Sequence, residues 1–322
     1  MAIGLLIMVP TLAAFGGYGI KKTLKASDQK NEARNRLTNA KWIYEHAQRS
    51  LDQHKDVSAT KLKELGMLKI SCWSGDLKQF VERCNNLPEL NTLEHPTASG
   101  SNTLFNSRAL QRLQSLSQLS CEFSEHGQGG SIGVFASLGA YGCSKVLEGA
   151  TRGNALSASR VFLSHNATLS WLNGSSAASG ALGFESKNLI LGGVVPLSQK
   201  FSSTNQLTKA IESEERAHKA SASMKASCAV LQSIDQVTDS YSQLITKLRK
   251  SFGKRLNALS RLLGETPPPF SQLSEINKKR TMDVVSFAKV FTNIIETPLI
   301  SAEGNLKTNH IHVIRQGIKL LG

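Results

Sequence analysis

Residues 224–263 read MKASCAVLQSIDQVTDSYSQLITKLRKSFGKRLNALSRLL. Met224, Cys228, Leu231, Ile234, Val237, Tyr241, Leu244, Leu248, Phe252, Leu256, Leu259 and Leu263 recur at steps of three or four. That period draws one apolar stripe down a helix, and about 40 residues at 1.5 Å each make a rod of roughly 60 Å. A helix so long and so polar on its other faces is stable only if the stripe packs on a second helix. Glu212, Glu214 and Glu215 precede the stripe, and Lys247, Arg249, Lys250, Lys254, Arg255 and Arg261 lie toward its end. This charge order matches the helix dipole. Gly264 and Pro267-Pro268-Pro269 stop the element. A coiled-coil arm is therefore expected over 201–264.

Its partner lies near the other end of the chain. Ala33, Leu37, Ala40, Tyr44, Ala47 and Leu51 step by four and three, the seam stutters at Asp56-Val57-Ser58, and Leu62, Leu65 and Leu68 resume it. A first arm is expected over 21–70. The simplest way to bury both seams is an antiparallel pair, joined through whatever lies between. That intervening stretch begins, over 71–126, with short amphipathic helices: Leu77, Phe80, Val81 and Cys84, then Leu110, Leu113, Leu116 and Leu119, separated by a polar linker at 91–102. Residues 127–200 differ, being rich in Gly, Ala and Ser. Residues 130–143 and 161–184 carry no charge. Ala136 with Ala140, and Gly139 with Cys143, are small residues four apart, a spacing that lets helix backbones approach closely in lipid or in a soluble bundle. After the second arm, a C-terminal helix is expected from about Gln272 to Glu296 on Ile276, Val284, Phe287, Val290, Phe291 and Ile294. The segment 265–322 comprises that helix and a tail, which contains Ile311-His312-Val313-Ile314.

The first 20 residues stand apart. Ala2 to Ile20 has no charged residue, and Lys21, Lys22 and Lys25 follow at once. About 19 residues make roughly 28 Å of helix, close to the hydrocarbon thickness, and basic residues on the C-terminal side place that side in the cytoplasm. The expectation is a single-span anchor at 1–20 in a bacterial inner membrane, with most of the chain cytoplasmic. The rivals are a cleaved signal peptide, which lacks its basic n-region here, and an apolar helix buried in the protein's own core.

The whole chain has 322 residues, with 38 Lys plus Arg against 24 Asp plus Glu, a formal charge of +14. The basic residues are spread among acidic ones and aromatics are not interleaved with them, which argues against nucleic acid. Anionic lipid is the better partner, with Lys21, Lys22 and Lys25 as surface contacts. Five cysteines at irregular spacing, none in a Cys-x-x-Cys, imply neither a disulfide framework nor a zinc site. Gly127-x-Gly129-Gly130-x-x-Gly133 does not follow a strand, so it reads as a turn rather than a phosphate loop. His310-x-His312 on a strand would put two imidazoles on one face, and two ligands do not make a metal site. No nucleophile–base–acid set and no Gly-x-Ser-x-Gly is present. No enzyme activity, cofactor, metal or small-molecule substrate is expected.

Several short motifs carry a resemblance. They are Glu64-Leu65-Gly66-Met67-Leu68-Lys69, Trp73-Ser74-Gly75-Asp76-Leu77, Gly139-Ala140-Tyr141-Gly142, Asn166-Ala167-Thr168-Leu169-Ser170-Trp171-Leu172, Leu191-Gly192-Gly193-Val194-Val195-Pro196 and Thr297-Pro298-Leu299-Ile300. In this order the chain resembles a family of uncharacterised bacterial membrane-associated helical proteins, some labelled chemotaxis proteins, that carry an Asn-Ala-Thr-Leu-x-Trp-Leu motif and a Gly/Ala-rich hairpin between coiled-coil arms. The resemblance implies an all-α, elongated molecule with antiparallel arms flanking a small-residue hairpin. The residues expected to matter in that hairpin are Gly133, Ala136, Gly139, Ala140, Trp171, Gly192 and Gly193. Asn173-Gly174-Ser175-Ser176 and Glu185, Lys187 and Asn188 make this hairpin more polar than the family's. The function expected is that of a non-enzymatic membrane effector or membrane-organising protein that inserts the hairpin, with self-association or a helical protein partner. The alternative is a structural scaffold whose arms recruit a partner at the membrane.

Overall fold

The computed structural model describes residues 17–87, 89, 107–126, 132–144, 147, 203–264, 267–301 and 306–321. Over these residues the chain is all-α. α1 is Gly17–Ser71 and passes through a π-helical turn, Cys72–Leu77, into α2, Lys78–Asn85. α3 is Ser107–His126, α4 is Ile132–Tyr141 and α5 is Ser203–Leu263. A single 3-10 turn, Phe270–Gln272, precedes α6, Glu275–Glu296, and α7 is Asn309–Leu321. Among the described residues there is no strand, only an isolated bridge between Ile300 and Leu306.

The chain divides into two compact units. One comprises residues 1–49 and 185–224, the other 50–184 and 225–322. In the first, Ala33, Ala40, Tyr44 and Ala47 of α1 and Ala210, Ala217 and Met224 of α5 are buried. Arg36 and Asn39 both reach Glu214, at 2.7 and 2.6 Å. In the second unit the core is larger. Phe252 of α5 stacks on Phe287 of α6 at 5.6 Å between centroids and touches Phe80 and Phe291 at 5.8 and 5.4 Å. Burying such rings contributes far more than any surface ion pair.

The two arms run parallel, which corrects the antiparallel expectation. In the second unit His54 lies against Gln232, Ser58 bonds Asp235, Lys61 pairs with Asp239 and Ser71 accepts from Arg249, at separations of 178, 177, 178 and 178 residues. A constant difference means both helices ascend together; an antiparallel pair would hold the sum constant. A heptad seam looks the same read in either direction, so the apolar spacing carried no information about it. Parallel neighbours need a long connection instead of a tight turn, and the whole of α2, α3 and α4 lies between them in sequence.

Polar residues fix the register. Ser58, fully buried at the stutter of the α1 seam, donates to Asp235 Oδ1 at 2.6 Å. Asp235 and Thr238 are buried where the stripe calls for Val237, which is half-buried. Burial raises the Asp235 pKa, against the opposing effects of the Ser58 hydroxyl and Lys61. A carboxyl whose pKa is raised by folding costs stability once pH exceeds its unfolded value of about 3.9. Asp235→Asn is therefore expected to be more stable than the wild type at pH 7, a gain that vanishes below about pH 3.9. Urea titrations at the two pH values check it; an Asn variant less stable at pH 7 would show the carboxylate to be favoured in place.

Two further expectations change. No helix among the described residues is long and apolar enough to cross a membrane, so the N-terminal transmembrane helix is not supported. Of the span read at 1–20, residues 1–16 lie outside the described residues, and 17–20 open α1, which runs directly into Lys21, Lys22 and Lys25. The tail is not a strand at His310-Ile311-His312 but the helix α7. Gly317 sets it close to Leu244 and Ile294, where an added Cβ would lie 2.7 Å from Leu244 Cδ2 and 3.2 Å from Ile294 Cδ1. Two residues apart on a helix point in different directions, so the pair of imidazoles does not share a face.

Candidate functional site: a polar latch on a charge-free helix

α4 is Ile-Gly-Val-Phe-Ala-Ser-Leu-Gly-Ala-Tyr, without one charged side chain. Ala136, Leu138 and Ala140 have no exposed surface, and Tyr141, the last residue of the helix, and Cys143 and Ser144 beyond it are buried too. Small residues make this burial close enough for backbones to touch. A Cβ on Gly139 would stand 2.1 Å from the Leu62 carbonyl oxygen of α1, and one on Gly66 would stand 1.9 Å from the Phe135 oxygen of α4. Both distances are far inside van der Waals contact. α1 and α4 therefore cross at a point only glycine allows on either side, a contact of the kind that recurs where helix backbones meet.

The C-terminal end of α4 is then held by groups from three directions. Its last carbonyls have no intrahelical donor and need partners. Lys69, one turn beyond Gly66, is fully buried and donates to the Gly139 carbonyl at 3.0 Å and to the Thr297 carbonyl at 3.5 Å. The backbone N–H groups of Leu299 and Ile300 both donate to the Ala140 carbonyl, at 2.8 and 3.2 Å. Gly142 turns the chain at φ +93° and donates to the Leu138 carbonyl at 3.3 Å. A side chain there would strike the Glu296 carbonyl oxygen at 2.4 Å, so this left-handed cap is reserved for glycine twice over.

Glu296 closes the assembly. As the last residue of α6 it accepts from the Trp73 indole N–H at 3.1 Å and from the Ser144 backbone N–H at 2.9 Å. Trp73 has no exposed surface and belongs to the π turn, which re-aims it out of the regular α1 register. The same turn is braced by Asp76, which pairs with Arg249 of α5 at 2.6 Å. Burial lowers the Lys69 ammonium pKa, partly countered by the nearby Glu296 carboxylate. Burial and then Glu296 push the Cys143 thiol well above the usual range, and burial raises Cys72 to about 12. Thiols in such surroundings stay protonated at neutral pH. Glu296 and Thr297 also line a cleft of about 430 Å³ with Asn293, Pro298, Asn309, His312, Val313 and Gln316, which leaves one side of the latch open to solvent.

Of the residues singled out in the sequence, Ala136, Gly139 and Ala140 meet in this latch, and Gly133 lies in the same helix. Trp171, Gly192 and Gly193 lie outside the described residues, as do the linker at 91–102 and most of the small-residue region. Lys21, Lys22 and Lys25 fall in the opening turns of α1. Sequence reading missed Lys69, Trp73 and Glu296 as a set. The one available signal was Lys69 itself, adjacent to the seam position Leu68: the structure leaves Leu68 half-buried and buries Lys69 and Ile70 instead. Among the described residues no group of three His, Cys, Asp or Glu side chains converges as a metal site. No family model, curated protein or solved structure matches the chain.

Proposed function

We propose that the chain is a non-enzymatic, membrane-acting helical protein held in a closed state, in which the latch keeps its small-residue segment away from lipid until a trigger releases it. The observation that carries this reading is the burial of α4. A helix with no charged residue is buried from Ala136 to Tyr141, and its carbonyl end is tied by Lys69, Leu299 and Ile300 to other parts of the chain. Once untied, α4 presents mostly apolar and small side chains and no charge, as part of the charge-free stretch 130–143. The reading extends to the charge-free residues 2–20 as an inner-membrane anchor and to Lys21, Lys22 and Lys25 as contacts with anionic lipid. It also accords with the resemblance to membrane-associated helical proteins. α4 is too short to span a bilayer by itself, about 15 Å at 1.5 Å per residue, so insertion requires further residues of the 127–200 region or several copies. Overexpression in bacteria tests the reading: depolarisation that deepens when the latch is weakened supports it, and unchanged membrane potential with the latch weakened sinks it.

A second reading, a scaffold whose arms recruit a helical partner, has one observation in its favour. Trp42 on α1 is 59% exposed and stacks on His46 at 5.3 Å. An exposed indole on a long helix suits a partner contact, where Trp is over-represented among residues that dominate binding. Crosslinking that captures a stable heteromeric partner from wild-type cells and loses it with Trp42→Ala would favour this reading.

A further inference from the structure

Three arginines converge on one cleft of the second unit, and among the described residues none of them has an anionic partner. The cleft, about 560 Å³, lies between the last turns of α5 and the first turns of α6. Arg255, Arg261 and Arg280 stand around it, and its floor is Ala258, Leu259, Leu262 and Val284. Among the described residues Asp283 is its sole carboxylate and forms no ion pair with any of the three, and none of these guanidiniums is engaged by a carboxylate. Arg36 and Arg249, by contrast, each meet an acidic side chain within 2.7 Å. Arg255 is held in place from behind, its guanidinium 4.9 Å from the centroid of the buried Phe287 ring. Stacking of this sort fixes the planar fork that recognises phosphate bidentately.

We propose that this cleft binds the phosphate headgroup of an anionic phospholipid. The arginine rim supplies the charge and the fork geometry, and the apolar floor takes the glycerol and first methylenes of the lipid. A free phosphate would have no use for that floor. The volume is that of a small-ligand site. This assignment rests on the membrane-acting reading and gives it an attachment point away from the latch: the cleft residues lie at 255–284, and none belongs to the group that ties α4. Closing the lipid into the cleft leaves α4 untouched, so docking and release are separate steps.

Flotation of the full chain with phosphatidylglycerol vesicles tests it, with phosphatidylcholine vesicles and inorganic pyrophosphate as the other arms. The wild type is expected to float with the first, not the second, and to be displaced by pyrophosphate only at millimolar concentration. Arg261→Gln with Arg280→Gln should weaken flotation about tenfold or more, and Arg261→Lys with Arg280→Lys by less, since charge is kept and the fork is lost. Lys219→Gln with Lys225→Gln removes the same charge from exposed positions on α5 and should change little. Equal loss in that control pair, no loss in the arginine pair, or no flotation of the wild type would overturn the proposal. So would pyrophosphate binding as tight as the vesicles and dependent on the same arginines, which would make the cleft a soluble-phosphate site. These outcomes are distinct from failure of the membrane-acting reading, which is read from depolarisation on weakening the latch and not from flotation.

Discussion

Gly139→Ala is expected to lose stability by about 3 kcal/mol or more, an unusually large effect for a single methyl group. The added Cβ would lie 2.1 Å from the Leu62 carbonyl oxygen and 3.0 Å from its carbon. The obstacle is backbone of a long helix, not the end of a flexible side chain, so α1 and α4 must separate. Overpacking a core commonly costs about 1–3 kcal/mol, and separation adds the loss of the bonds that Lys69, Leu299 and Ile300 make to α4. Gly66→Ala should behave alike, since its Cβ would stand 1.9 Å from the Phe135 oxygen. Gly253→Ala provides the contrast: it lies in α5 with nothing within 4 Å of an added Cβ, and it should gain stability through helix propensity. Urea denaturation of the three variants measures the differences. A Gly139→Ala variant as stable as the wild type would mean that the two backbones do not meet.

Glu296→Leu has the second-largest expected effect, about 3 kcal/mol. Two donors lose their acceptor, the Trp73 indole at 3.1 Å and the Ser144 N–H at 2.9 Å, and an unmet buried donor costs about 1–3 kcal/mol. Lys69 also loses a carboxylate that favours its charged form, in a site where burial already opposes that form. Its pKa should fall further, and with it the strength of its bonds to the Gly139 and Thr297 carbonyls. Glu296→Gln keeps one acceptor oxygen and should cost roughly half as much. The readout is tryptophan fluorescence: removal of the carboxylate from the Trp73 indole alters its emission, while a chain in which Trp73 is unaffected by Glu296→Leu has no such bond. Amide exchange should quicken in α4 before it quickens in α1 or α5.

Much of this architecture was legible before any coordinates. The stripe from Met224 to Leu263 and the seam from Ala33 to Leu65 gave two long helices whose bounds, Gly17–Ser71 and Ser203–Leu263, differ by a few residues from those read. Their relative direction was not legible, because apolar spacing has no polarity and only cross-helix partners such as Ser58 with Asp235 or Lys61 with Asp239 reveal it. The departures from the stripes share a cause. Val237 gives way to Asp235, and Leu68 to Lys69, because a polar group finds a specific partner across the interface, which outweighs generic apolarity at that position; the buried Thr238 hydroxyl is instead satisfied by the Ile234 carbonyl of its own helix. Ile276 shows the reverse, an apolar residue counted toward the core of α6 that is 67% exposed in its first turn. Likewise Ile311-His312-Val313-Ile314 resembles a strand by β-branching alone, while Val313 and Gly317, four apart, are the buried pair of a helix. The small-residue spacing around Ala136 and Gly139 correctly marked a close backbone approach. What it could not identify was the neighbour, α1 at Leu62 and Gly66.

The latch account makes one demand that no other reading of the chain makes: permeabilisation must depend on α4 and not on loosening in general. Dye release from phosphatidylglycerol vesicles, compared between Glu296→Leu and the same variant carrying Leu138→Asp, addresses this directly. Leu138 has no exposed surface, and a carboxylate placed there costs about 3 kcal/mol on entering a bilayer. The account predicts rapid release by Glu296→Leu, little by the wild type, and at least a tenfold drop when Leu138→Asp is added while the helical content of α1 and α5 is retained. Equal release by the single and double variants, or none by Glu296→Leu with α4 freely exchanging its amides, would contradict it.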